Sequence, residues 1–211
     1  MSTVEPGTTA GAVTAILPLF LLEAMHAHDR PEEVLEDEDL MRSLPRRLGL
    51  TGVIDTQKRR YESAVKARRK VPLDEFTSLV RLVMKRPDAE AILRDTGYRM
   101  ANHHFRRVPG TVVRVLRALP RSLLVSRWRK AARRLLRQMG GEHVEVEGRA
   151  PTVQFGPTPL SGLEPVGTAC ILYAAALEQL GELYTAQRPQ VNQTRCTGNG
   201  DTFCEWQVSE L

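Results

Sequence analysis

The chain has 211 residues, 42% of them hydrophobic and 26% charged, with a formal net charge of +5. That length fits one medium domain, or one domain with a helical extension, and buries a sizeable core without covalent staples. Three cysteines, no secretory leader and no long uncharged apolar run argue against a membrane-spanning helix and predict a reducing, cytoplasmic setting.

Residues 1–11 are small and polar and predict a flexible N-terminus. Ala12 to His28 has helical composition, with Leu17, Leu21, Leu22 and Met25 at helical spacing, and Pro18 places the helix start, or a bend, nearby. Asp29-Arg30-Pro31 ends it, and the acidic stretch to Asp39 reads as a short helix or a surface loop. Leu44 to Leu50 is a turn-rich connector, and Asp55 is placed to cap a helix from Thr56 to about Arg69. Pro72, with Asp74 and Glu75 after it, starts a helix to about Lys85 whose buried face is Phe76, Leu79, Val80 and Val83. Pro87 and Asp88 start another, which ends at Gly97 or continues to Phe105.

Val108-Pro109-Gly110 breaks that run, and Thr111–Leu119 and Ser122–Met139 read as two helices divided at Pro120. The second is amphipathic and basic, with Leu124, Trp128, Ala131, Ala132, Leu135 and Met139 along one side. From Gly140 the period changes: Glu142 to Gly148 alternates as a half-buried strand should, with Pro151 to Phe155 as its hairpin partner. Gly156 to Pro165 is an ordered loop, and an apolar helix follows Cys170. Helices, two strands, a helix and two strands make an α+β domain, an antiparallel sheet of about four strands packed against helices.

The last two strands, Val191–Thr197 and Phe203–Val208, flank Thr197-Gly198-Asn199-Gly200-Asp201-Thr202, a strong reversal signal. If the hairpin is centred on Gly200, Cys196 and Cys204 are directly opposite with Cβ atoms roughly 5 Å apart. If the turn is the tighter Asn199-Gly200 form, Cys196 faces Phe203 instead.

These cysteines and Cys170 are candidate zinc ligands, since thiolates are good donors for tetrahedral zinc; the fourth donor would come from His143, Glu205, Glu178 or water. The alternatives are cysteines packed in the core or a disulfide. A small hydrophobic ligand between helices and sheet would meet Phe105, Trp128, Leu135, Phe155, Tyr173 and Leu177. Asp201 reads as a turn stabiliser rather than a base. His103 or His104 offers imidazole to a haem or other tetrapyrrole.

Charge is unevenly distributed. Asp29 to Asp39 is strongly acidic, whereas Gly97 to Gly141 holds no acidic residue and a basic patch of Arg127, Lys130, Arg134 and Arg137. The patch suits an acidic ligand, an acidic protein partner, peripheral contact with anionic lipid or packing against the chain's own acidic stretch, with a plain solvated face as the default reading. Nucleic acid is not indicated, because neither a reading helix nor an aromatic stacking set is evident. No zinc-protease signature, nucleophile elbow or phosphate loop is present.

The tail, with an apolar helix starting near Cys170, then Cys196, Gly198, Gly200-Asp201 and Cys204, resembles the 4-vinyl reductase (V4R) domain over about Gly141 to Val208. A weaker similarity to stand-alone members of the bacteriochlorophyll-biosynthesis-associated type covers Leu48 to Gly97, including Gly52-Val53-Ile54-Asp55 and Asp88 to Leu93. The resemblance implies a fold like the Bet3 and haem nitric-oxide-binding domains, in a ligand-binding domain over 97–211 behind a helical region over 12–96. It also implies a homodimer and a hydrophobic aromatic, hydrocarbon or tetrapyrrole ligand. Zinc-binding members add a third cysteine and a glutamate to the tail pair; here Gln193 stands about where an acidic residue precedes the first tail cysteine. Ala174 and Glu178 replace glycines common in the family, while Gly181 remains. The functions implied are a sensor, carrier or assembly factor, or an accessory subunit or enzyme of vinyl reduction. No nicotinamide or flavin motif supplies electrons for the latter. A protein-interaction scaffold without a small ligand is the further alternative.

Overall fold

The computed structural model describes residues 11–29, 51–109, 120–141, 143–148, 151–156, 158, 160 and 162–211. Chain order opens on β1 (Ala12–Thr14), α1 (Ile16–His28), α2 (Thr51–Lys66), β2 (Lys70–Pro72), α3 (Leu73–Met84), α4 (Ala89–Phe105) and α5 (Arg121–Gln138). Then come β3 (Val144–Glu147), β4 (Thr152–Phe155), a 3-10 turn over Thr168–Cys170, α6 (Ile171–Thr185), β5 (Gln190–Arg195) and β6 (Cys204–Ser209). This is the expected α+β class, with an antiparallel four-stranded sheet ordered β3-β4-β6-β5.

Strand alternation gives the sheet one dry face. Val144, Val146, Val153, Phe155, Trp206 and Val208 are buried on it, beneath α5 and α6, while Glu145, Glu147, Gln154, Glu205 and Gln207 stand on the other. The helices bury the stripes their spacing predicts: Phe76, Val80 and Val83 on α3, and Trp128, Ala131, Ala132 and Leu135 on α5. A continuous core runs from Val13 to Leu211, so residue 97, the start of the expected ligand-binding region, lies within α4 and shares its core with the helices before it.

The structure shifts several expected boundaries. Ala12–Thr14 is a strand paired with Lys70–Pro72, and α1 begins at Ile16 with Pro18 in its first turn, where the missing N–H has no intrahelical partner to lose. Asp55 does not cap α2; the helix starts at Thr51 and takes Asp55 into its interior. Of the two ends the sequence allows for α4, the structure takes the longer, through Gly97 to Phe105, with α6 packed against the residue that has no side chain. Arg30 to Leu50, including most of the acidic stretch, and the helix expected at Thr111–Leu119 lie outside the described residues. Among the described residues no helix is long and apolar enough to cross a membrane.

Candidate functional site

Three segments bring the cysteines together. Cys170 closes the 3-10 turn that leads into α6, Cys196 follows β5, and Cys204 opens β6. The hairpin register decides between the two turn geometries that the sequence allows. Gln193 pairs with Trp206, but Arg195 pairs with Glu205, so Thr194 is bulged out of the ladder. The extra residue centres the hairpin on Gly200 and sets Cys196 opposite Cys204; without it Cys196 would oppose Phe203 and turn outward. Gly200, at φ 93°, supplies the left-handed residue that reverses the chain, and Asp201 Oδ2 accepts the Cys196 N–H at 2.8 Å, which fixes the turn.

The three Sγ atoms lie within 4.8 Å of one another, and all three cysteines are buried. Thr197 donates its N–H to Cys204 Sγ at 3.4 Å and holds its hydroxyl 3.3 Å from the same sulfur. Cys170 hydrogen-bonds Cys204, and with Thr197 it holds the Cys204 thiol below its ordinary range. Cys170, facing that charge from a buried position, is pushed up. A thiol biased toward ionisation among neighbouring sulfur donors suits a soft metal.

The donor set fits zinc in part. Tetrahedral zinc with Zn–S near 2.3 Å places its sulfurs about 3.8 Å apart, so the cluster would close by at most about 1 Å. Of the fourth donors named from the sequence, Glu205 is held on the outer face by Gln154 and Thr194, each at 2.6 Å, and Glu178 lies 3.6 Å from Arg94. His143 is exposed beside Gly156. Gln193 is exposed on β5 and donates its Nε2 to the Arg195 carbonyl at 3.2 Å. Three cysteine sulfurs with a water is the set this arrangement offers.

Beside the thiols stands an aromatic cluster. Phe155 stacks on Trp206 with ring centres 4.8 Å apart, and Tyr173 meets Phe155 edge-on at 4.9 Å and Trp206 at 5.9 Å. The Tyr173 hydroxyl and the Trp206 Nε1 are buried with no hydrogen-bond partner among the described residues, as is the Trp128 Nε1. Burial, reinforced by Cys170 and Cys204, pushes the Tyr173 hydroxyl far up, so it remains a neutral donor. Trp128, Leu135 and Leu177 are fully buried in the same core. Phe105 stands apart, edge-on to Tyr184 at 5.2 Å, and Tyr184 lies eleven residues, about 16 Å of helix, beyond Tyr173. The sequence reading omitted Trp206, although its place two residues after Cys204 puts it on the same sheet face.

The basic patch divides. Arg127, Lys130 and Arg134 line a cleft with His104, Arg107, Tyr184 and Gln138, and Arg137 is not part of that lining. His104 Nδ1 lies 3.4 Å from Gln138 Oε1, and His103 packs edge-on to Phe20 at 5.7 Å. Comparison with family models and with curated proteins returns no match for this chain.

Proposed function

We propose that the chain is a V4R-like module for a small hydrophobic ligand, its closing hairpin cross-linked to α6 by a zinc ion on Cys170, Cys196 and Cys204. The observation that carries the reading is the convergence of three buried sulfurs from three segments within 4.8 Å. Zinc bound there supplies a structural cross-link and keeps the thiolates deprotonated. The chain's own residues then form the ligand-facing layer. Phe155, Tyr173 and Trp206 are packed on one another in the core, so a ligand reaches them only where the core opens, and the two unpartnered donors among them favour one carrying an acceptor, such as a carbonyl oxygen.

Native mass spectrometry with metal analysis, on tag-free protein, tests both parts. Close to one zinc per chain, lost in Cys196→Ser, supports the thiolate centre. A metal-free chain two hydrogens lighter than its thiol form would replace it with a disulfide. A reproducible organic adduct, lost when Tyr173 is changed, supports the ligand site, and a chain without adduct or metal would favour a scaffold role instead.

A further inference from the structure

The cleft between α5 and the ends of α4 and α6 has a volume of about 520 Å³ and is lined by cations without an acid among them. Arg127, Lys130 and Arg134 follow one another at helical spacing along α5, and Arg107 faces them from beyond the end of α4. Among the described residues none of these four forms an ion pair. Some arginines elsewhere do form ion pairs: Arg60 with Glu75, Arg86 with Asp29 and Asp88, Arg94 with Glu90, Arg99 with Asp95, and Arg188 with Glu182. Others, Arg137 among them, form none among the described residues. The local sequence offers no counter-ion either, since no acidic residue occurs from Gly97 to Gly141.

Like charges at positions three and four apart destabilise a helix, so this face of α5 carries a penalty that an anion would relieve. The cleft is also equipped to orient one. His104 and Tyr184 add neutral polar groups: burial, with Arg107 and Arg134 nearby, lowers the His104 pKa, and burial raises that of Tyr184. Val108 and Ala131 give the wall an apolar part suited to the organic portion of a ligand rather than to a bare ion.

We propose that this cleft binds a phosphate-bearing anion, with the forks of Arg107, Arg127 and Arg134 and the Lys130 ammonium on its oxygens. Four cations exceed what a single carboxylate neutralises, whereas a phosphate ester carries close to two charges and three acceptor oxygens. The site is independent of the thiolate reading, because it shares no residue with the cysteine cluster. The phosphate comes either from a soluble organic phosphate or from a lipid headgroup.

Calorimetric titration of the full chain with inorganic pyrophosphate tests the site. Binding weakened about tenfold or more in Arg127→Glu and Arg134→Glu, and no more than about twofold in Arg137→Glu, is the expected result. All three positions are exposed on α5, so circular dichroism should show the fold retained. Absence of binding by the unaltered protein, or an equal loss in Arg137→Glu, would overturn the proposal. Sedimentation with phosphatidylcholine vesicles, with and without phosphatidylinositol 4-phosphate, separates the sources: capture that Arg134→Glu abolishes assigns a lipid headgroup, and pyrophosphate binding without capture assigns a soluble phosphate.

Discussion

Gly97 on α4 lies directly against the Leu172 carbonyl of α6, where an added Cβ would stand 2.5 Å from the oxygen, 2.9 Å from the Ala176 nitrogen and 3.0 Å from the Ala175 Cβ. Two of those atoms are backbone and cannot swing aside. Helix propensity alone would favour Gly97→Ala by about 1 kcal/mol, yet overpacking of a close helix crossing costs about 1–3 kcal/mol and here acts on rigid partners. Gly97→Ala should therefore lower stability by up to about 2 kcal/mol net in urea unfolding. An unchanged or raised midpoint would mean that α4 and α6 separate freely.

Thr197 is the residue whose loss should loosen the thiolate centre without removing a ligand. Its hydroxyl sits 3.3 Å from Cys204 Sγ, and its N–H donates to the same sulfur. Thr197→Val keeps the volume and the N–H but removes the hydroxyl. Groups that hydrogen-bond metal ligands typically contribute about 10–100-fold in affinity, and one of two donors remains, so zinc affinity should fall about tenfold. Competition with a chromogenic chelator measures it, and equal affinities would make the hydroxyl a bystander.

Periodicity made most of the architecture readable, because burial of one face per element leaves a repeating mark. The α5 stripe through Trp128 and Leu135 and the Val144–Val146 alternation were both visible in that way. What was not readable depended on contacts between distant segments. The hairpin admitted two registers, and only the bulge at Thr194, set by pairing with Glu205, selects the one that joins Cys196 to Cys204. Ala12–Thr14 is apolar enough to extend α1, and becomes a strand because Lys70–Pro72 offers it an edge. Likewise Arg127, Lys130 and Arg134 were evident as a basic face, but Arg107, His104 and Tyr184 join them only when three helices meet.

His104 should make the protein less stable in mild acid. Burial, with Arg107 and Arg134 alongside, holds its pKa below the ordinary 6.5, although the Gln138 hydrogen bond opposes them. His103 is lowered in the same direction by burial and by Arg107 and Arg106. As pH falls through about 6.5 the unfolded chain takes up protons that the folded chain refuses, so stability rises with pH across that window and drops on acidification. Glu178 works the other way, because burial raises its pKa and the folded state then holds the extra proton. The informative quantity is thus the difference between variants. Urea midpoints between pH 7.5 and 5 should slope less steeply in His104→Gln than in the unaltered protein, and parallel slopes would show that His104 titrates normally.

Tyr173 gives the sharpest test of the aromatic layer. Its ring is fully buried against Phe155 and Trp206, and its hydroxyl has no hydrogen-bond partner among the described residues. A buried unsatisfied hydroxyl costs about 1–3 kcal/mol, and Tyr173→Phe removes it while keeping the ring contacts. In ligand-free protein the substitution should therefore stabilise by about 1 kcal/mol, a rise of about 2–4 °C in Tm for a chain of this size. If the hydroxyl serves a bound acceptor, the same substitution should weaken ligand binding as it strengthens the ligand-free fold, since the donor that pays when empty is the one that pairs when filled. Loss of stability without ligand would instead mean that the hydroxyl already has a partner within the folded protein, which would remove the main reason for placing a polar ligand atom beside it.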